Sequence, residues 1–289
     1  MVLLRILLQL GDQLQSHPRM SVMLRTATVI LGLVLPGALA AENLSICFRE
    51  DASPFSSQIE GGEFTGYSVD LCKMISDIMG ISEPEIVPVT VETRFGALDN
   101  RKCAMLCEAT TVNMDRRDKY EFSLITFVTD TALLFPRRLM SGIPLDAPPL
   151  NVGYLIETTA HKSIAAGGIL SDQQMKVETA PFKSHESAVE ALLSGGIDGY
   201  IADRDILNAM LTDHPDLVES HVISVRGLTY EPYAIAFHKD NHSLRREVDK
   251  ALAGLFRDGR AKELVAKHIP SRQNDNLIDA LFRIQSIPE

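Results

Sequence analysis

Three arginines in this chain stand where an apolar run gives way to a polar turn. Arg49 closes "LSICFR" and opens the acidic, proline-broken "EDASPFSSQ". Arg94 opens "RFGALDNRK", and Arg116 follows "CAMLCEATT". A guanidinium grips a carboxylate through two parallel hydrogen bonds, and a half-buried arginine is costly unless it meets an anion. Where no protein carboxylate serves Arg49, a ligand would. Thr111 can add a hydroxyl and a backbone N–H, and Asp203, at the end of "DGYIA", can hold an ammonium group. Three cationic forks against one acid suit a zwitterion with an extra carboxylate. Each residue also has a plainer reading. Arg94 suits a solvated helix start, Arg116 beside Arg117-Asp118-Lys119 a surface turn, and Asp203 a helix cap for "RDILNAML".

The elements that must position these groups follow from periodicity. "LSICFRE" and "EIVPVTV" predict strands, "GYSVDLCKMISDIMG" an amphipathic helix ended by Gly80, "TRFGALDNRK" a short helix and "CAMLCEATT" a buried strand. After "DTALLFPRR" a second set begins, with strands at "NVGYLI", "MKVETA" and "DGYIA" and helices at "TAHKSIAAGG", "SHESAVEALLSGG" and "DRDILNAML". "EPYAIAFHK" returns as a strand, and a long helical stretch runs from "SLRREVDK" to "VAKHI". The tail "NDNLIDALFRIQSIP" predicts a helix docking Leu277, Ile278, Leu281, Phe282 and Ile284 on the body. This is an α/β unit, a crossing, a second α/β unit, a return crossing and closing helices, which suits two lobes hinged over a ligand. Ligands of open α/β sheets lie beyond the carboxyl ends of the strands, where Arg49, Thr110-Thr111 and Asp203 fall.

The chain has 289 residues, 45% hydrophobic and 23% charged, with a net charge of −10; this is globular composition without the basic stripe that nucleic acid requires. "MLRTATVILGLVLPGALAAEN" has the layout of a secretory signal peptide cut after Ala40, with Met20 or Met23 as alternative starts, so the mature protein is expected in the periplasm. Cys47, Cys72, Cys103 and Cys107 form no CxxC and have no histidine partners at metal spacing; one or two disulfides are expected, with the pairing open. His238 and His242, four apart around "KDN", do not suggest a metal site. No P-loop, no GxGxxG after a strand and no nucleophile elbow occurs.

"GYSVDLCKMI", "ATTVNMDRRDKYEFS", "ALLSGGIDGYIAD" and "EPYAIAFHK" resemble, in order, the motifs of the family 3 extracellular solute-binding proteins, the amino-acid receptors of ABC importers. The resemblance covers roughly residues 44–268; Asn113 replaces the second threonine of the Thr-x-Thr-x-x-Arg signature. It is nearest the glutamate/aspartate-binding branch, through Arg49, Glu50, Pro54, Phe55, Ser56, Arg94, His185 and Asp203. It implies a type II periplasmic-binding-protein fold of two open α/β sheets joined by two hinge crossings, with lobe 1 at 41–132 plus 233–289 and lobe 2 at 133–232. It implies no cofactor, no catalysis, a monomer, and delivery to an inner-membrane permease. Arg116, Thr111 and the backbone at Ala109 would hold the α-carboxylate, Asp203 the α-ammonium, and Arg49, Arg94 and His185 the side-chain carboxylate. Thr158 would contribute from the second lobe.

Four residues depart from the branch. Leu155 replaces a threonine contact, Glu157 a glycine, Ala109 a serine and Glu108 a glycine. An extra carboxylate near the mouth, from Glu108 or Glu157, would repel a dicarboxylate ligand or point to solvent. The alternatives are another amino acid, an opine-like ligand, a dehydratase that drafts Glu108, Glu157 or His185, or a sensory receptor acting through a separate partner.

Overall fold

The computed structural model describes residues 44–141, 148–160 and 176–288. The proposed signal segment, and most of the helix expected at "TAHKSIAAGG", lie outside them.

The chain enters through β1 (Ser45–Arg49), whose buried Ile46, Cys47 and Phe48 carry the β-prone pattern into a core. A small antiparallel sheet follows, of β2 (Asp51–Ala52), β3 (Ser56–Gln58) and β4 (Phe64–Thr65). Helix α1 (Tyr67–Ile78) begins at Gly66, which takes φ +131° with its Cα pressed on the loop before it: a Cβ there would lie 2.3 Å from the Phe55 carbonyl oxygen. Then come β5 (Glu85–Val89), α2 (Arg94–Asp99), β6 (Met105–Leu106) and the one-turn α3 (Met114–Arg117). The strand expected over "CAMLCEATT" is regular only at β6, where it pairs with β1; beyond it Thr111 bridges Tyr233 alone, so the segment from Cys107 to Thr110 is irregular.

The 17-residue β7 (Tyr120–Pro136) is the longest strand described. It leads to β8 (Leu150–Leu155), β9 (Val177–Phe182), α4 (His185–Ser194), β10 (Gly199–Asp203), α5 (Arg204–Asp213), α6 (Pro215–Ser220) and β11 (His221–Ile223). The return strand is β12 (Thr229–His238). The main sheet runs β5-β1-β6-β12-β7-β10-β8-β9, with β11 also on β7. The two crossings are therefore strands themselves: β7 and β12 pair antiparallel with each other and carry the hydrogen-bonded ladder from one α/β half into the other. On each side the outer strands pair in parallel, β1 with β5 and β6, β8 with β9 and β10, so within each set the carboxyl ends share one edge.

Helices close the fold. The long stretch predicted after "HK" is broken at Gly259, whose φ of +88° ends α7 (His242–Asp258) and starts α8 (Arg260–His268). The C-terminal α9 (Asn276–Gln285) is capped by Asp275 and buries Ile278 and Phe282, the latter stacked on Phe256 at 4.7 Å. Leu277 and Ile284, expected to dock, face outward.

The cysteines pair as Cys47–Cys103 and Cys72–Cys107. Both bonds converge on the site: one ties β1 to the entry of β6, the other ties α1 to the residue before Glu108. Replacing Cys47 and Cys103 together by serine should cost about 2–5 kcal/mol of unfolding free energy in urea titration. A loss under about 1 kcal/mol would mean that packing alone fixes β1 against β6.

Candidate functional site

All eight residues expected at the site line one pocket. Its walls come from the carboxyl end of β1, the start of α2, the irregular segment after β6, α3, the turn after β8, the start of α4 and the end of β10.

Arg116 is held from three directions. Asn113, the departure from the threonine signature, caps α3 by accepting the Arg116 N–H at 2.9 Å. The Arg116 side chain donates to the Thr111 carbonyl at 2.7 Å, and its guanidinium lies 5.0 Å from the Phe95 ring centre. Burial, and then the neighbouring Arg94, pull its pKa down to about 10, so it stays charged at neutral pH. The plain reading of a surface turn fits Arg117, which is exposed, and not Arg116.

Asp203 occupies the N-cap position of α5 but makes no cap bond. Its carboxylate accepts instead from the Tyr233 hydroxyl and, at 3.4 Å, from Thr131. Glu231, 2% exposed, shares that Thr131 hydroxyl at 3.0 Å and accepts from Thr159 at 2.8 Å. Burial and the charge of Glu231 push Asp203 up to about 7. Glu231 and Tyr233 were not anticipated; the "EP" and "PY" of the return strand were the only signal, and nothing in that pattern gave their facing.

The other end of the pocket corrects the sequence expectation. Arg49 is not without a protein partner. Its Nε donates to Asp51, two residues on, at 2.8 Å, and it is 2% exposed. Arg94, 1% exposed, donates to Glu108 at 2.9 Å and to the Glu157 carbonyl at 2.8 Å. Glu108 is neither at the mouth nor turned to solvent. Its carboxylate is fully buried between the two arginines, with Arg49 at 3.8 Å, and accepts from the Thr110 hydroxyl. Burial pushes this carboxyl up, but Arg94 and Arg49 outweigh it and hold the group below the usual range, ionised. The three forks thus face Asp51, Glu108, Asp203 and Glu231, not one acid.

His185 opens α4 and contacts Arg49 Nη2 through Nε2 at 2.9 Å and the Tyr200 hydroxyl through Nδ1 at 2.9 Å. A guanidinium only donates, so Nε2 accepts and the ring proton sits on Nδ1. Burial, and then Arg49, push the pKa down to about 3, so the ring is neutral. Thr158 lines the pocket, but its hydroxyl goes to the Leu155 carbonyl at 2.6 Å. Glu157, where the resemblance expects glycine, takes φ +55°, the left-handed backbone that glycine favours, and leaves its side chain exposed. Its carbonyl, aimed by that backbone, meets Arg94 and, at 3.5 Å, Arg116. Among the described residues no three His, Cys, Asp or Glu groups gather as a metal site, and no helix is long and apolar enough to cross a membrane.

Set beside known proteins, this architecture has a clear place. The profile of the bacterial extracellular solute-binding proteins, family 3, matches residues 44–271. The chain belongs to that family. It is 26% identical over 210 residues to the ABC transporter glutamine-binding protein of Bacillus subtilis, covering 72% of this chain and 74% of the relative. It is 24% identical over 266 residues to the glutamate/aspartate import solute-binding protein of Escherichia coli, covering 83% and 86%. An ancestral arginine-binding protein solved with glutamine superposes with a TM-score of 0.69 at 23% identity, over 78% of this chain and 97% of that one. The fold is that of type II periplasmic binding proteins.

Asp203 and His185 give the family member an internal pH test. Native Asp203 keeps a proton that the unfolded chain releases above 3.8, so its contribution to stability falls as pH rises towards about 7. Native His185 has lost a proton that the unfolded chain keeps up to 6.5, so its contribution rises with pH from about 3. The two oppose each other between about pH 4 and 6.5. In urea titrations across that window, stability of Asp203→Asn should rise with pH more steeply than that of wild type, and stability of His185→Gln less steeply. Parallel curves for all three would refute the assigned protonation states.

Proposed function

We propose that this protein is the substrate-binding component of an amino-acid ABC importer, closing on a free α-amino acid and presenting it to a membrane permease. One observation carries the reading: Arg116, oriented by Thr111, and Asp203 line the same pocket, and the Asp203 carboxyl acts on the Arg116 charge. Those are the two charges of an amino-acid zwitterion. In this reading Arg116, Thr111 and the backbone at Ala109 take the α-carboxylate, Asp203 the α-ammonium, and Thr158 closes from the second half. The relatives named above bind amino acids, which supports the class.

The lobes proposed are 41–132 plus 233–289, and 133–232. The buried clusters support the division, since one pair gathers around β1, β6 and α7 and the other around β8, β10 and α4. Bonds between Arg49 and His185, Arg94 and Glu157, and Lys183 and Glu92 at 3.1 Å would then act across the cleft as it closes. Export by the N-terminal signal, action as a monomer and no role with nucleic acid complete the proposal.

The finer expectation, glutamate or aspartate, drew on Arg49, Arg94 and His185. These do meet at one end of the pocket, yet each already has a partner there. The dehydratase alternative needs an acid or base aimed at a leaving group. Glu108 is sealed between Arg94 and Arg49, the His185 ring proton is turned to Tyr200, and the Glu157 side chain is exposed.

Calorimetric titration with a panel of free amino acids tests the reading. Wild type should bind at least one, and Arg116→Ala should weaken every ligand by about 100-fold or more, the cost of removing one partner of a buried charge pair. Unchanged affinity in Arg116→Ala would remove the α-carboxylate assignment.

A further inference from the structure

We infer that Glu108 is a built-in counter-ion occupying the place of a second ligand carboxylate, so that the pocket selects an α-amino acid with an uncharged, carboxamide-type side chain. The inference rests on the amino-acid reading above and deepens it.

The side-chain end of the pocket has a closed charge count. Arg49 and Arg94 supply two positive charges, and Asp51 and Glu108 two negative ones, all within 4 Å of their partners. His185 adds none, because its Nε2 is already an acceptor for Arg49. A ligand carboxylate placed there would meet no net positive charge and would lie beside an ionised, fully buried glutamate. Like charges brought together in a desolvated site cost several kcal/mol. Glu108 cannot step aside into water, since its carboxylate is sealed between two arginines that are themselves 1–2% exposed. Removing it would strand those arginines, so the bridge is part of the folded protein and not a movable gate.

Arg94 lines this end of the pocket, and its buried Nε has no acceptor. A carboxylate oxygen and a carboxamide oxygen both accept, but only the carboxamide does so without setting a second negative charge against Glu108. An aliphatic side chain would leave that donor unfilled, at the cost of a buried unsatisfied polar group.

The test is calorimetry on the purified protein, freed of co-purified ligand by unfolding and refolding. The probes are glutamine, asparagine, glutamate, aspartate, arginine and leucine. Glutamine or asparagine should bind wild type about 100-fold or more tightly than the matching acid, the ratio that several kcal/mol of repulsion implies. Glu108→Gln keeps the shape and removes the charge, and should narrow that ratio at least about tenfold. Should that variant fold poorly, the wild-type ratio decides alone. Preference of wild type for glutamate or aspartate overturns the counter-ion role while leaving the amino-acid reading intact, and so does an amide-to-acid ratio identical in wild type and folded Glu108→Gln. Preference for arginine or leucine overturns the carboxamide class. No binding by any probe sinks the amino-acid reading and this inference with it.

Discussion

Two buried arginines must be neutralised, and much of the molecule is arranged around how that is done. Arg49 and Arg94 lie in a region of low dielectric, where an uncompensated charge would cost more than the whole net stability of a typical domain. Glu108 and Asp51 supply the compensation, but only if β1, α2 and the segment after β6 stay in register. The disulfides enforce that register at two points, Cys47–Cys103 on β1 and Cys72–Cys107 beside Glu108. At the start of α2, Thr90 and Thr93 exchange backbone-to-hydroxyl bonds of 3.0 and 3.3 Å and fix the direction in which Arg94 leaves the helix. Fold and site are therefore not separable here: the groups that would read a ligand also hold the first half of the sheet together.

The same constraint links the two halves. Once Glu108 has taken one edge of Arg94, the other edge reaches the Glu157 carbonyl, and Arg49 reaches the His185 ring. The Glu157 carbonyl is in place only because that residue adopts φ +55°, which costs a residue with a Cβ about 1–2 kcal/mol. A glycine would hold the turn without that cost. Accepting strain there, with the Glu157 side chain left in solvent, keeps the backbone oxygen where both Arg94 and Arg116 need it. The turn geometry is thus set by the arginines it must serve, more than by the residue that forms it.

The sequence made most of the scaffold legible because periodicity, turn residues and strand–helix alternation are local. Helices α1, α4 and α5 and strands β1, β8 and β10 lie where the pattern put them. Two local misses have local causes. Gly259 splits what looked like one helix, and only the backbone shows that it is left-handed. Leu277 and Ile284 fit an apolar stripe, yet α9 presents a narrower face to Phe256 than the stripe suggested. The positions of the eight pocket residues were legible through strand ends and a motif that spans the chain. Their partners were not. Asp51 stands two residues from Arg49 in a stretch whose pattern reads as a turn, while Glu108 and Glu231 reach their partners across 14 and 72 residues respectively.

That pattern of success and failure has a physical basis that bears on specificity. A motif records which side chains line a pocket; it does not record which of their hydrogen bonds the protein itself has used. Arginine has five N–H donors, so the same residue can read a ligand acid in one pocket and bind an internal carboxylate in another, with no change in its own position. The decisive substitution then lies one layer behind the pocket wall, as Glu108 does, where glycine would have left both forks open to a ligand. Selectivity among such pockets is a difference between charge sums, and one buried acid is enough to change the sum at one end while Arg116 and Asp203 at the other end keep theirs.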